Sequence, residues 1–85
     1  RARAVALPRA LAAAARAIGR GEPVDTALAE ARAALEAAGF VVDYLDVADA
    51  ESLTPEPAPG RPRRLLVAAH MGSTRLIDNM AIEDS

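Results

Sequence analysis

The sequence predicts an α+β domain: two N-terminal helices packed on a small, mainly antiparallel three-stranded sheet. Three observations carry that expectation. Apolar residues recur every three or four positions as far as Ala38, and from Phe40 onward they gather in β-branched and aromatic runs. Gly19-Arg20-Gly21 and Gly39 fall where the two helical patterns stop. The densest β-forming run, Arg64–Ile82, is broken at Gly72-Ser73 into two extended segments, the pattern of a hairpin.

Each element follows in turn. Residues 2–19 carry Ala4, Leu7, Leu11, Ala14/Ala15 and Ile18 on one helical stripe, with Arg9 and Arg16 off it. Pro8 inside a helix loses a backbone bond and clashes with the preceding turn at a cost of ~3 kcal/mol, so a start or kink falls within residues 4–8. A second helix spans Pro23 to Ala38, with Pro23 at its first position, Asp25 at the positive end of its dipole and Gly39 as a left-handed cap. Its stripe is Val24, Ala27/Leu28, Ala31, Leu35 and Ala38, and the alanines of both stripes permit close approach in an αα-hairpin. Phe40–Val47 reads as a strand, with Phe40, Val42 and Tyr44 on one face and Val41, Leu45 and Val47 on the other. Asp49–Leu53 reads as a single helical turn. Thr54–Arg63, with Pro55, Pro57, Pro59, Pro62 and Gly60, reads as an extended crossover loop. Residues 64–71 and 75–82 complete the hairpin.

Bulk properties narrow the function. A chain of 85 residues is at most one domain, and one of this size buries only somewhat more than ~60% of its unfolded surface. The absence of cysteine removes disulfides and thiolate metal sites. A net charge of −2, with arginine as the sole basic residue besides one histidine, disfavours nucleic acid and anionic membrane as partners. Residues 1–21 are rich in arginine and alanine and contain no acid, the composition of a targeting peptide. Against that, Arg9 and Arg16 interrupt any apolar run of secretory length. The expectation is a cytoplasmic protein, and the opening at Arg1 directly in a helical pattern reads as a piece of a longer polypeptide.

Few residues could carry chemistry. His70 has no His/Cys/Asp cluster at ligand spacing and reads as a half-exposed strand residue. Strict alternation places Asp78 with Leu76, Met80 and Ile82 on the core face, where a carboxylate needs a partner; Arg75 or backbone N–H groups at the Gly72 turn could supply it. Asp78 and Asn79 then read as a polar clip fixing hairpin register, with Gly39 and Gly72 as the other structural positions. The functional alternative has Arg75 or Asn79 facing a ligand across a domain interface. Arg61, Arg63 and Arg64 read as a solvated cluster, and Asp25, Glu30 and Glu36 as the solvent side of the second helix. No catalytic residue and no metal ligand is expected, because no nucleophile–base arrangement and no phosphate-binding loop is present.

Two blocks of sequence resemble the closing segment of the pantothenate synthetase (pantoate–β-alanine ligase) family. Val42-Asp43-Tyr44-Leu45-Asp46-Val47-Ala48-Asp49 is similar to the family's Val-Asp-Tyr-Leu/Val-Glu-x-Arg-Asp strand, with Asp46 for Glu and Ala48 for Arg. Leu65–Ala69, Gly72, Arg75-Leu76-Ile77-Asp78-Asn79 and Ala81-Ile82-Glu83 match its final hairpin. His70 departs from the family's usual arginine or bulky aromatic. The resemblance implies a parent enzyme that uses ATP and Mg²⁺ to make a pantoyl adenylate, which β-alanine attacks. The family's His-x-Gly-His signature, catalytic lysine and Ser-Ser-Arg-Asn segment are not in this sequence. The implied role is therefore a non-catalytic C-terminal lid that binds no cofactor alone, partnered by the N-terminal catalytic domain of its own polypeptide in a homodimeric enzyme. A stand-alone interaction module on the same scaffold is the alternative.

Overall fold

The computed structural model describes residues 6–54 and 60–83. In chain order they form α1 (Ala6–Gly19), α2 (Val24–Ala37), β1 (Val41–Asp49), β2 (Arg63–Met71) and β3 (Thr74–Ile82). The strands make one antiparallel sheet in the order β1-β2-β3, and both helices cover the same face, α1 over β2 and β3 and α2 over β1. The α+β expectation stands.

Both helices end in the same way. Gly21 (φ 99°) and Gly39 (φ 100°) take the left-handed conformation that a side chain would resist. The Gly39 N–H donates to the Glu36 carbonyl and the Phe40 N–H to that of Leu35, each at 3.0 Å; Gly21 and Glu22 repeat this with Ile18 and Ala17. These are Schellman caps, and the accompanying apolar contact is met by Phe40 and Leu35, both in the core. Pro8 lies exposed in the first described turn of α1, while Ala4 and Val5 fall outside the described residues. Pro23 precedes α2 as its N-cap residue instead of opening it.

The core lies between the helices and one sheet face. Leu11, Leu35, Leu65 and Val67 are its largest fully buried side chains, and fully burying each contributes roughly 1.5–3 kcal/mol. The helices meet along alanines, with Ala10, Ala14 and Ala17 facing Ala27 and Ala31.

Strand β1 departs from the expected alternation. The pairing with β2 passes from Val42↔Ala69 directly to Tyr44↔Ala68, leaving Asp43 as the extra residue of a β-bulge. Beyond the bulge the pleat changes phase. Val42 therefore joins Leu45 and Val47 in the core, while Val41 and Tyr44 are exposed; the faces expected from strict alternation were mixed. β1 also runs on to Asp49.

As expected, Asp49–Leu53 forms a single helical turn, closed by the Leu53 N–H donating to the Asp49 carbonyl at 2.8 Å. Leu53 is the one non-glycine residue described with positive φ, at 60°. Of the expected crossover loop, Pro55, Pro57 and Pro59 lie outside the described residues. The β2–β3 hairpin turns through Gly72-Ser73, closed by Met71↔Thr74. Gly72 at φ 61° occupies the first central position, as in a type II′ turn.

Candidate functional site

The sheet face away from the helices carries the polar side chains that the fold does not explain. Strand register arranges it in rows. Tyr44, Ala68 and Ile77 lie side by side across the three strands, then Asp46, Leu66 and Asn79, then Ala48, Arg64 and Ala81; His70 and Arg75 pair at the other end, beside Val41. In the middle row Ala68 is fully buried between Tyr44 (38% exposed) and Ile77 (65% exposed).

The bulge sets the charged corner. Because Asp43 is unpaired in the ladder, its carboxylate turns toward His70 and Arg75, 27 and 32 residues further along the chain. The Arg75 Nε donates to Asp43 Oδ2 at 3.2 Å, and the His70 Nδ1 lies 3.3 Å from Oδ1. Partial burial pushes the Asp43 carboxyl up, but the hydrogen bonds and charges of His70 and Arg75 outweigh it and hold the group below its ordinary value. The imidazole's only hydrogen-bond partner among the described residues is Asp43. A carboxylate and an imidazole are two parts of a nucleophile-activating arrangement, and neither hydroxyl nor thiol joins them. The corner is a cluster of charged side chains that hold one another by hydrogen bonds.

At the other end the Arg64 Nε donates to the Asn79 Oδ1 at 2.6 Å, so Asn79 holds an arginine instead of neighbouring backbone. Arg75 and Asn79, the two residues expected to face a ligand, thus share the open face. Asp78 sits on the opposite, helix-side face, across from Val67. It is half-buried, because β3 is an edge strand, and its Oδ1 accepts the Asn79 N–H at 2.8 Å. Neither Arg75 nor the Gly72 turn is its partner: alternation alone puts Arg75 and Asp78 on different faces.

The arginine cluster is divided between two tasks. Arg64 belongs to the open face, whereas Arg61 reaches back to Asp49, 2.8 Å from Nε to Oδ2, and to Glu51, 2.8 Å from Nη2. Asp49 is only 5% exposed. Its Oδ1 also accepts the N–H groups of Glu51 and Ser52. Arg61 first, then those two N–H groups, hold its carboxyl well below the usual carboxylate range. Sequence reading missed both Asp43 and Asp49, since strand pairing and loop closure bring in their partners from far along the chain.

Asp25, Glu30 and Glu36 are exposed on α2. Among the described residues no group of three His, Cys, Asp or Glu side chains could hold a metal ion, and no helix is long and apolar enough to cross a membrane. A groove of about 520 Å³ between α1 and β3 is lined by Ala12, Ala15, Arg16, Arg20, Met80, Ala81 and Glu83.

The family model described as pantoate-beta-alanine ligase matches residues 1–81. The chain belongs to the pantoate–β-alanine ligase family. The pantothenate synthetase of Paracoccus denitrificans is 55% identical over 83 residues, which is 96% of this chain and 29% of that protein. That of Caulobacter vibrioides is 51% identical over 86 residues, 96% and 30% respectively. A crystal structure of pantothenate synthetase from Thermus thermophilus aligns with a TM-score of 0.78 at 35% identity, over 92% of this chain and 29% of that one. The chain therefore spans under a third of the ligase-family proteins it matches, and its two helices and three strands are a fold found within them.

Proposed function

We propose that this chain is the C-terminal lid domain of a cytoplasmic, homodimeric pantothenate synthetase, the ATP-dependent ligase that joins pantoate and β-alanine through a pantoyl adenylate. The observation that carries the reading is the family match over residues 1–81, in a chain whose described side chains hold no nucleophile paired with a base. The donor set of the described residues does not suit Mg²⁺, so metal and nucleotide are assigned to the remainder of the polypeptide. What this domain contributes is cover. Seated over the reacting groups, it excludes water from an acyl adenylate that hydrolysis would waste, and lowers the local dielectric around the charges that develop there.

The test is a comparison of this chain with the full polypeptide that its gene encodes. Supplied with ATP, Mg²⁺, pantoate and β-alanine, the full polypeptide forms AMP and pantothenate one for one, and this chain alone forms neither. AMP release by the isolated chain would overturn the reading. So would an inactive full polypeptide.

A further inference from the structure

Asp78 is the residue of β3 that packing does not ask for. It sits on the helix-side face between Leu76 and Met80, which both pack against the core, and across from the fully buried Val67. An apolar side chain would suit that position, whereas a half-buried carboxylate carries a desolvation cost. Its hydrogen bond among the described residues is to the N–H of Asn79, at 2.8 Å. That bond joins neighbours on one strand and ties β3 to nothing across the sheet, so a clip on hairpin register does not account for it.

What the bond occupies is an edge. Met71 and Thr74 flank a two-residue turn, the position where antiparallel partners exchange hydrogen bonds. From there, alternate residues Leu76, Asp78, Met80 and Ile82 turn their backbone groups to β2, and Arg75, Ile77, Asn79 and Ala81 turn theirs outward. Among the described residues β3 is an outer strand. The Asn79 N–H is thus an outward donor in mid-strand, and the Asp78 Oδ1 takes the place that the carbonyl of an added strand would fill. We propose that Asp78 is a lock on this edge, which keeps β3 from pairing with the β3 of a second copy. That strand is the one that would otherwise fit. Antiparallel pairing about a two-fold axis at Asn79 sets Arg75 against Glu83, Ile77 against Ala81 and Leu76 against Ile82, so charges and apolar side chains meet their complements. With Asp78 in place, the same pairing must break a charge-assisted hydrogen bond at its centre. It also leaves a carboxylate without a donor beside an incoming carbonyl, which repels it.

Amide exchange of the full polypeptide, resolved to single residues, gives the first test and needs no variant. The Asn79 amide should be protected about tenfold more than those of Ile77 and Ala81, once intrinsic rates are divided out. Equal protection of the three overturns the lock. Asp78→Ala gives the second test, read by sedimentation velocity. It should lower, by about tenfold, the protein concentration at which species larger than the wild-type assembly form, the scale of two backbone bonds regained. In those species the Ile77 and Ala81 amides become protected. Adding Ile77→Lys, a charge on the same edge, should return the variant to wild-type size. An Asp78→Ala protein that keeps the wild-type size overturns the proposal. So does association that Ile77→Lys leaves in place, because it then arises elsewhere than on β3.

Discussion

The two faces of the sheet differ in how their side chains are held. On the helix side, Leu65, Val67 and Ala69 are sealed under α1 and α2, and what fixes them is packing, which is sensitive to the loss of a single methylene. On the open side, Ile77 and Tyr44 stand free while Asp43, His70, Arg75, Arg64 and Asn79 hold one another by hydrogen bonds. The first face makes the domain fold; the second is covered by neither helix. Neighbouring residues on one strand therefore answer to different demands.

That contrast can be broken most severely from the covered side. Leu65→Ala opens a cavity on the central strand and is expected to cost roughly 2–5 kcal/mol, read as a lower urea midpoint. Gly39→Ala, which forces a side chain into the left-handed conformation that ends α2, should cost about 1–2 kcal/mol by the same measurement. The Asp49–Arg61 clip sharpens the comparison through pH. Because the folded state holds this carboxyl below its unfolded value of about 3.9, its contribution is present above about pH 4 and is lost as pH falls further. Asp49→Asn should thus lower the thermal midpoint at pH 7, with the gap to wild type narrowing as the pH is taken from about 4 to about 2. The smallest effect belongs to the open face. Ile77→Thr should leave stability within roughly 0.5 kcal/mol, and a larger loss in this chain by itself would mean that the open face supports the fold after all.

The architecture was legible because the helices and the hairpin announce themselves locally. Leu7, Leu11 and Ile18 repeat at helical spacing, the two glycine caps fall where the stripes end, and Gly72-Ser73 divides two β runs. What could not be read depends on registry between strands. A bulge is one unpaired residue, and nothing in Val42-Asp43-Tyr44 marks Asp43 as the extra one. The expected faces of β1 were mixed for that reason, and His70 looked solitary although a carboxylate lies against it. The open face as a unit was only half visible: Arg75 and Asn79 were singled out, but the row of Tyr44, Ala68 and Ile77 exists only once three strands are aligned. Asp49 was hidden similarly, since Arg61 returns to it across the proline-rich segment.

The bulge has a further consequence at the margins of the sheet. Both β1 and β3 are outer strands, each with a row of backbone donors and acceptors that another extended chain could recruit. On β1 the extra residue at Asp43 interrupts the spacing that such recruitment needs and adds local twist. β3 runs nine residues in unbroken register and carries Ile77 in its middle. For this chain the aggregation hazard therefore lies on the β3 side, and a charged or proline substitution on β3 is the place to blunt it.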